Sequence, residues 1–148
     1  MRIKQKVLDI WDEHKQKKLT DNEQFGVLIG SFSEPNDYLI NEVTVPIGLD
    51  RSTRTRFSLV DPYHQEKVNQ HFKQSQGQLA YIGTWHTHPE PHPKPSKLDI
   101  KDWEACCKRN PDRSLIFVIV GTDSITIYTS ANGSLREMKA EYLINEYD

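Results

Sequence analysis

Cysteine is scarce: the 148-residue chain has two, side by side at Cys106 and Cys107. Neighbours on a helix point about 100° apart, so a disulfide between them is not expected. No Cys-x-x-Cys pair occurs, which removes zinc ribbons and thioredoxin-like redox chemistry. A reducing, cytoplasmic setting is the expectation. Long apolar runs are also missing, and Met1-Arg2-Ile3-Lys4-Gln5-Lys6 spaces its apolar residues at helical intervals. Neither a signal peptide nor a membrane span is expected. Nor does one charge dominate: 19 Lys+Arg face 21 Asp+Glu, for a net charge of -2. Without a broad basic field, a nucleic-acid partner is not favoured.

What is present describes an ordinary globular protein, 36% hydrophobic and 27% charged. One domain over residues 1–148 is expected, long enough to bury a core without disulfides. Ile3, Val7, Ile10 and Trp11 predict an amphipathic helix over residues 3–16, with His14 near its end. The apolar run from Phe25 to Phe32 predicts a buried strand, and Tyr38 to Val45 its return across a turn at 34–37. A short third strand is expected at 55–60, followed by a helix over 63–75. Leu79 to His86 reads as a strong strand. From Pro89 to Pro95 every second residue is proline, which predicts a stiff, extended loop. A helix is expected from Leu98 through Cys107, then strands at 114–121 and 124–130, the first of them central. Asn132-Gly133 signals a turn before a terminal element from Leu135 to Tyr147. The order of elements implies a three-layer α/β/α arrangement with a mixed sheet flanked by helices.

His86 and His88 carry the first chemical signal. Two apart on a strand, they leave the same face and can reach one point, while Trp85 and Thr87 face the other way. Asp99 opens the next helix, and the proline-rich loop can return that helix to the strand end. Two imidazoles and one carboxylate leave a fourth tetrahedral position for water, the arrangement of a catalytic zinc. The nitrogen and oxygen donors suit zinc, with iron or cobalt able to occupy the same ligands in vitro. Each piece also has a plainer reading. A lone His-x-His is often surface decoration, and Ser96-Lys97-Leu98-Asp99 is a capping box with Ser96 as N-cap.

Taken together, the motif is more specific. His86-Thr87-His88-Pro89, six residues, Ser96, two residues and Asp99 resemble the signature of the JAB/JAMM (MPN+) zinc metalloproteases at every defining position. That family also places a catalytic glutamate before a strand written Glu-x-x-Gly-x-Leu-x-Gly. This chain reads Glu23-Gln24-Phe25-Gly26-Val27-Leu28-Ile29-Gly30.

The resemblance implies a JAB/MPN (cytidine-deaminase-like) fold with a mixed, curved sheet. It implies one Zn²⁺ per chain held by His86, His88 and Asp99. Glu23 would act as general acid and base, and Ser96 as a donor to the developing oxyanion. Thr87 replaces the more usual Ser, and Phe25 stands where many bacterial members have Gly. The wording around His86 and the Asp102-Trp103 pair resemble JAB peptidases of bacterial ubiquitin-like conjugation operons, including the CBASS antiphage systems. The implied substrate is a ubiquitin-like protein or its conjugates, with E1- and E2-like enzymes as further partners.

Other residues carry less. His92, between prolines, is expected on the rim rather than as a third imidazole ligand. His64 and His71 are expected on a solvated helix face. Trp85 and Trp103 are expected in the core or groove wall, with Trp103 the better candidate for substrate contact. Neither cysteine has an activating partner that would make it a nucleophile. Two readings compete with the peptidase. A non-catalytic scaffold of the same fold would carry no stoichiometric zinc. A zinc deaminase would need His-x-Glu and Pro-Cys-x-x-Cys, and neither motif is present.

Overall fold

The computed structural model describes residues 1–33, 35, 37–131, 134–138 and 144–147. Within them, the elements in chain order are β1 (Arg2–Lys4), α1 (Gln5–His14), β2 (Phe25–Ser33), β3 (Asp37–Val43), β4 (Arg51–Ser52) and β5 (Phe57–Ser58). They continue with α2 (Tyr63–Gln74), β6 (Ala80–Thr87), α3 (Lys97–Arg109), β7 (Ile116–Val120), β8 (Ile125–Ala131), β9 (Ser134–Met138) and β10 (Ile144–Glu146). Eight strands form one mixed sheet in the order β10-β1-β3-β2-β6-β7-β8-β9. The β4–β5 pair stands apart as a two-stranded hairpin.

The pleat sorts the core into layers. Alternate residues of β7 leave opposite faces. Ile116, Val118 and Val120 join Val7 and Trp11 of α1 on one side. Phe117 and Ile119 join Trp103 and Cys106 of α3 on the other. Val27 and Ile29 of β2 share that second side with Val68 of α2. The result is a three-layer α/β/α fold, as expected from the element order. All five residues of β7 are buried, in keeping with a central position between β6 and β8.

Two glycines permit the close approaches in the middle of the sheet. A Cβ on Gly26 would lie 1.8 Å from the Thr44 carbonyl oxygen. One on Gly83 would lie 1.7 Å from that of Ile116, at a backbone φ of +143°. Only glycine adopts that conformation without strain. Near Gly83 the β2–β6 register shifts between Leu28 and Ile29.

Local expectations needed correction at three places. The helix expected from residue 3 starts at Gln5, because residues 2–4 pair in parallel with β10 and residues 2–3 also with β3. The strand expected at 55–60 shrinks to Phe57–Ser58 and pairs only with β4. The terminal element is described as two strands, β9 and β10, on opposite edges of the sheet. The Asn132-Gly133 turn and part of the 34–37 turn lie outside the described residues.

Strand β6 and strand β7 run parallel, joined through α3. Such a crossover brings the chain back over the sheet. Here the proline-rich loop sets the first turn of α3 close to the end of β6, where both histidines sit.

Candidate metal centre

His86 and His88 both bring Nε2 to one point, 3.2 Å apart. Asp99 lies between them: Oδ1 is 3.2 Å from His86 Nε2, and Oδ2 is 3.1 Å from His88 Nε2. The Glu23 carboxylate stands slightly farther off, with Oε1 3.8 Å from His88 Nε2. All four side chains are buried. Ser96 caps α3 beside them, its Oγ accepting the Asp99 amide at 3.0 Å while Asp99 Oδ2 accepts the Ser96 amide at 2.8 Å. The capping box and the cluster therefore share Asp99, and the capping reading of this segment is borne out.

These spacings fit a tetrahedral ion. Zinc–nitrogen bonds of about 2.0–2.1 Å put neighbouring ligand atoms about 3.3–3.4 Å apart. The His–His contact falls just inside that edge length, and each histidine meets one Asp99 oxygen at a similar spacing, Oδ1 for His86 and Oδ2 for His88. Glu23, His86 and His88 also form a set with ligand atoms within 4.8 Å of one another. Asp99 makes shorter contacts to the two histidines than Glu23 does, so two carboxylates stand within reach of the pair.

Electrostatics separate the two carboxylates. Burial pushes Glu23 up to about 8, with His88 opposing and Asp99 reinforcing the shift. Burial acts on Asp99 in the same direction, but hydrogen bonds from His86 and His88 outweigh it and hold that carboxyl far below the usual range. Complete burial lowers His86, despite the nearby Asp99 carboxylate. His88 is also opposed by burial, yet Asp99, Glu90 and Glu23 together raise it. Environments that push two acids apart are typical of acid–base sites.

Several supporting residues carry no signal in the linear motif. Glu90 holds His88 Nδ1 at 2.9 Å, the kind of outer partner that orients a ligating imidazole. It is two residues past His88, so proximity alone could have flagged it. Gln16 accepts the Thr87 hydroxyl at 2.7 Å and donates to the carbonyls of Asp21 and Arg54. Thr87 thus faces away from the metal centre, as expected, but is a tie rather than filler.

Phe25 pairs with His86 across the β2–β6 register and stacks on Phe57 at 4.6 Å. Phe57 in turn lies 5.2 Å from the His86 ring. The departure at Phe25 therefore backs the half-buried Phe57 ring that lies beside His86.

The proline-rich loop is pinned from the β7–β8 turn. Thr122 donates to the Glu90 carbonyl at 2.8 Å, Ser124 to that of Pro91 at 3.0 Å, and the Thr126 hydroxyl to that of Pro93 at 2.7 Å. His92 is exposed and bonds Ser124, a rim residue as expected.

One expectation fails. His64 is 2% exposed rather than solvated, because Asp50 and Thr44 take both of its ring nitrogens. Trp103 is 4% exposed and stacks on Phe117 at 5.1 Å, so it lies in the core, one of the two settings expected for it, and is not presented for substrate contact. Trp85 is likewise core, with its indole N–H on the Thr44 carbonyl.

Comparison with known proteins identifies the family. Residues 5–139 match the family described as prokaryotic homologs of the JAB domain. The chain belongs to that family. Among curated relatives, a CD-NTase/cGAS isopeptidase of Escherichia coli (strain TW11681) is 34% identical over 86% of this chain and 80% of its own. Its namesake from Pseudomonas aeruginosa (strain BWHPSA011 / Pa011) is 35% identical over 81% and 76%. That from Vibrio cholerae serotype O1 is 37% identical over 67% and 62%. The chain is accordingly an isopeptidase-class hydrolase. The solution structure of a protein from Desulfitobacterium hafniense has the same fold, with a TM-score of 0.67 at 21% identity, covering 100% of this chain and 94% of that one. Among the described residues, no helix is long and apolar enough to cross a membrane.

Proposed function

We propose that this isopeptidase uses one zinc ion, held by His86, His88 and Asp99, to hydrolyse the bond that follows the C-terminal tail of a ubiquitin-like protein. The observation that carries the reading is the convergence of both Nε2 atoms on Asp99 at 3.1–3.2 Å, with Glu23 alongside. When bound, zinc supplies Lewis acidity and lowers the pKa of a water to roughly 7. Glu23, buried and 3.8 Å from His88 Nε2, takes the proton of the attacking water and returns it to the leaving amine. Ser96 Oγ accepts the Asp99 amide, so its own proton is available to donate to the oxyanion that develops on the scissile carbonyl. Glu90 keeps the His88 ring in place throughout.

An extended tail would reach this site by strand addition, with small residues at its end to pass the half-buried Phe57 ring. The relatives' name, CD-NTase/cGAS isopeptidase, supports a nucleotidyltransferase of that kind as the conjugated protein. A setting in antiviral defence, beside E1- and E2-like enzymes, is part of the same proposal and follows from the resemblance of the His86-to-Trp103 segment. The test is Glu23→Ala. The variant is expected to retain zinc while losing about 10²–10⁴-fold in hydrolysis of a ubiquitin-like fusion. Cleavage at the normal rate would refute the assigned mechanism.

A further inference from the structure

The excursion between β3 and α2 is sewn shut at its base. Asp50 accepts the amides of Val60 and Asp61 on Oδ1, at 2.8 and 2.9 Å. Its Oδ2 takes the Ile47 amide at 3.0 Å and His64 Nε2 at 2.6 Å. Asp61 answers from the other end by accepting the Leu49 amide at 2.7 Å. A Cβ on Gly48, where φ is +54°, would lie 2.2 Å from Asp61 Oδ2, so glycine is required at the crossing. Compact surface loops with joined ends of this sort often carry function.

The clasp is rooted in the sheet. With His64 Nε2 donating to a carboxylate, Nδ1 is left to accept the Thr44 hydroxyl at 2.6 Å. Thr44 Oγ1 in turn accepts the Val27 amide of β2 at 2.9 Å. The order threonine, histidine, aspartate resembles a hydrolytic triad, but the Thr44 hydroxyl is taken up between His64 Nδ1 and the Val27 amide.

At its far end the same loop touches the metal centre. The Thr53 carbonyl, next to β4, accepts the Glu23 amide at 2.7 Å. Phe57 of β5 lies against Phe25 and the His86 ring.

We infer that Thr44, His64 and Asp50 form a positioning clasp that sets the β4–β5 hairpin against the metal centre, holding Glu23 and Phe57 in place. None of the three touches the reacting atoms, so they are positioning residues. The inference rests on the roles proposed above for Glu23 and His86.

Thr44→Val tests it, because it keeps the shape of threonine while removing the hydroxyl. Zinc content is expected to be unchanged. Hydrogen exchange at the Glu23 amide is expected to rise about tenfold, together with that of Leu49, Val60 and Asp61, while β7 keeps its protection. The kcat/KM for a ubiquitin-like fusion falls by a similar factor, and Thr44→Ser restores both values. If Thr44→Val does not fold, Asp50→Asn carries the same pattern of outcomes. Faster exchange at 49, 60 and 61 with Glu23 unchanged would overturn the inference, and so would a uniform rise that includes β7. A wild-type protein without zinc or activity would instead refute the functional reading, while the exchange coupling is scored separately.

Discussion

Ser96 carries two roles that substitution can separate. Its Oγ caps α3 through the Asp99 amide at 3.0 Å, and its free hydroxyl proton is assigned to the oxyanion. Removing the cap with Ser96→Ala costs about 1 kcal/mol, whereas Ser96→Gly costs only a few tenths. An unfolding entropy of about 2.1 cal/mol/K per residue gives roughly 0.3 kcal/mol/K for a chain of this length. The alanine variant should therefore melt about 3 °C lower and the glycine variant about 1 °C lower. Neither loss measurably depletes the native state at 25 °C, since domains are stable by about 5–15 kcal/mol. Both variants lack the hydroxyl, so both should lose about 10²–10³-fold in kcat. Paired thermal melts and initial rates at 25 °C, on zinc-loaded protein, measure the two effects independently. Wild-type rates in both variants would refute the oxyanion role. Rates that merely followed the two melting temperatures would refute it as well.

Gly26→Ala should destabilise the fold by about 3 kcal/mol or more, because the new Cβ meets the Thr44 carbonyl backbone rather than a movable side chain. A denaturant midpoint equal to the wild type would contradict that close approach. Burial raises Asp50, but the amides of Asp61, Ile47 and Val60 together with His64 outweigh it and hold the carboxyl at about 2. Its contribution is fully present above an unfolded pKa of about 3.9 and is lost as the pH falls through about 2. Asp50→Asn should therefore flatten the acid limb of the stability curve between those values, and an unchanged limb would count against the clasp.

The parts legible in the linear sequence are those governed by short periods. The two-residue alternation placed His86 and His88 on one face, and the Ser96–Asp99 spacing defined both a cap and a carboxylate beside them. The apolar run at β7 marked a central strand. Contacts set by tertiary neighbours were not legible. Ile3 fits a helical stripe, yet residues 2–4 are strand because β3 and β10 offer parallel edges there. His64 has the spacing of a surface residue, and only the fold reveals that Asp50, fourteen positions upstream, meets it at 2.6 Å. Trp103 is one turn past Asp99, but Phe117 and Tyr128 take up its ring. Phe25 has no partner in the linear motif, because Phe57, which stacks on it, comes from a separate hairpin.

Metal content bears most directly on the site built by His86, His88 and Asp99. Elemental analysis of purified wild-type protein should find close to one zinc ion per chain, and Asp99→Ala should lose it. Hydrolysis of a ubiquitin-like fusion should disappear on chelation and return with added zinc. Wild-type protein that cleaves the fusion without stoichiometric metal, or Asp99→Ala that retains it, would contradict the account.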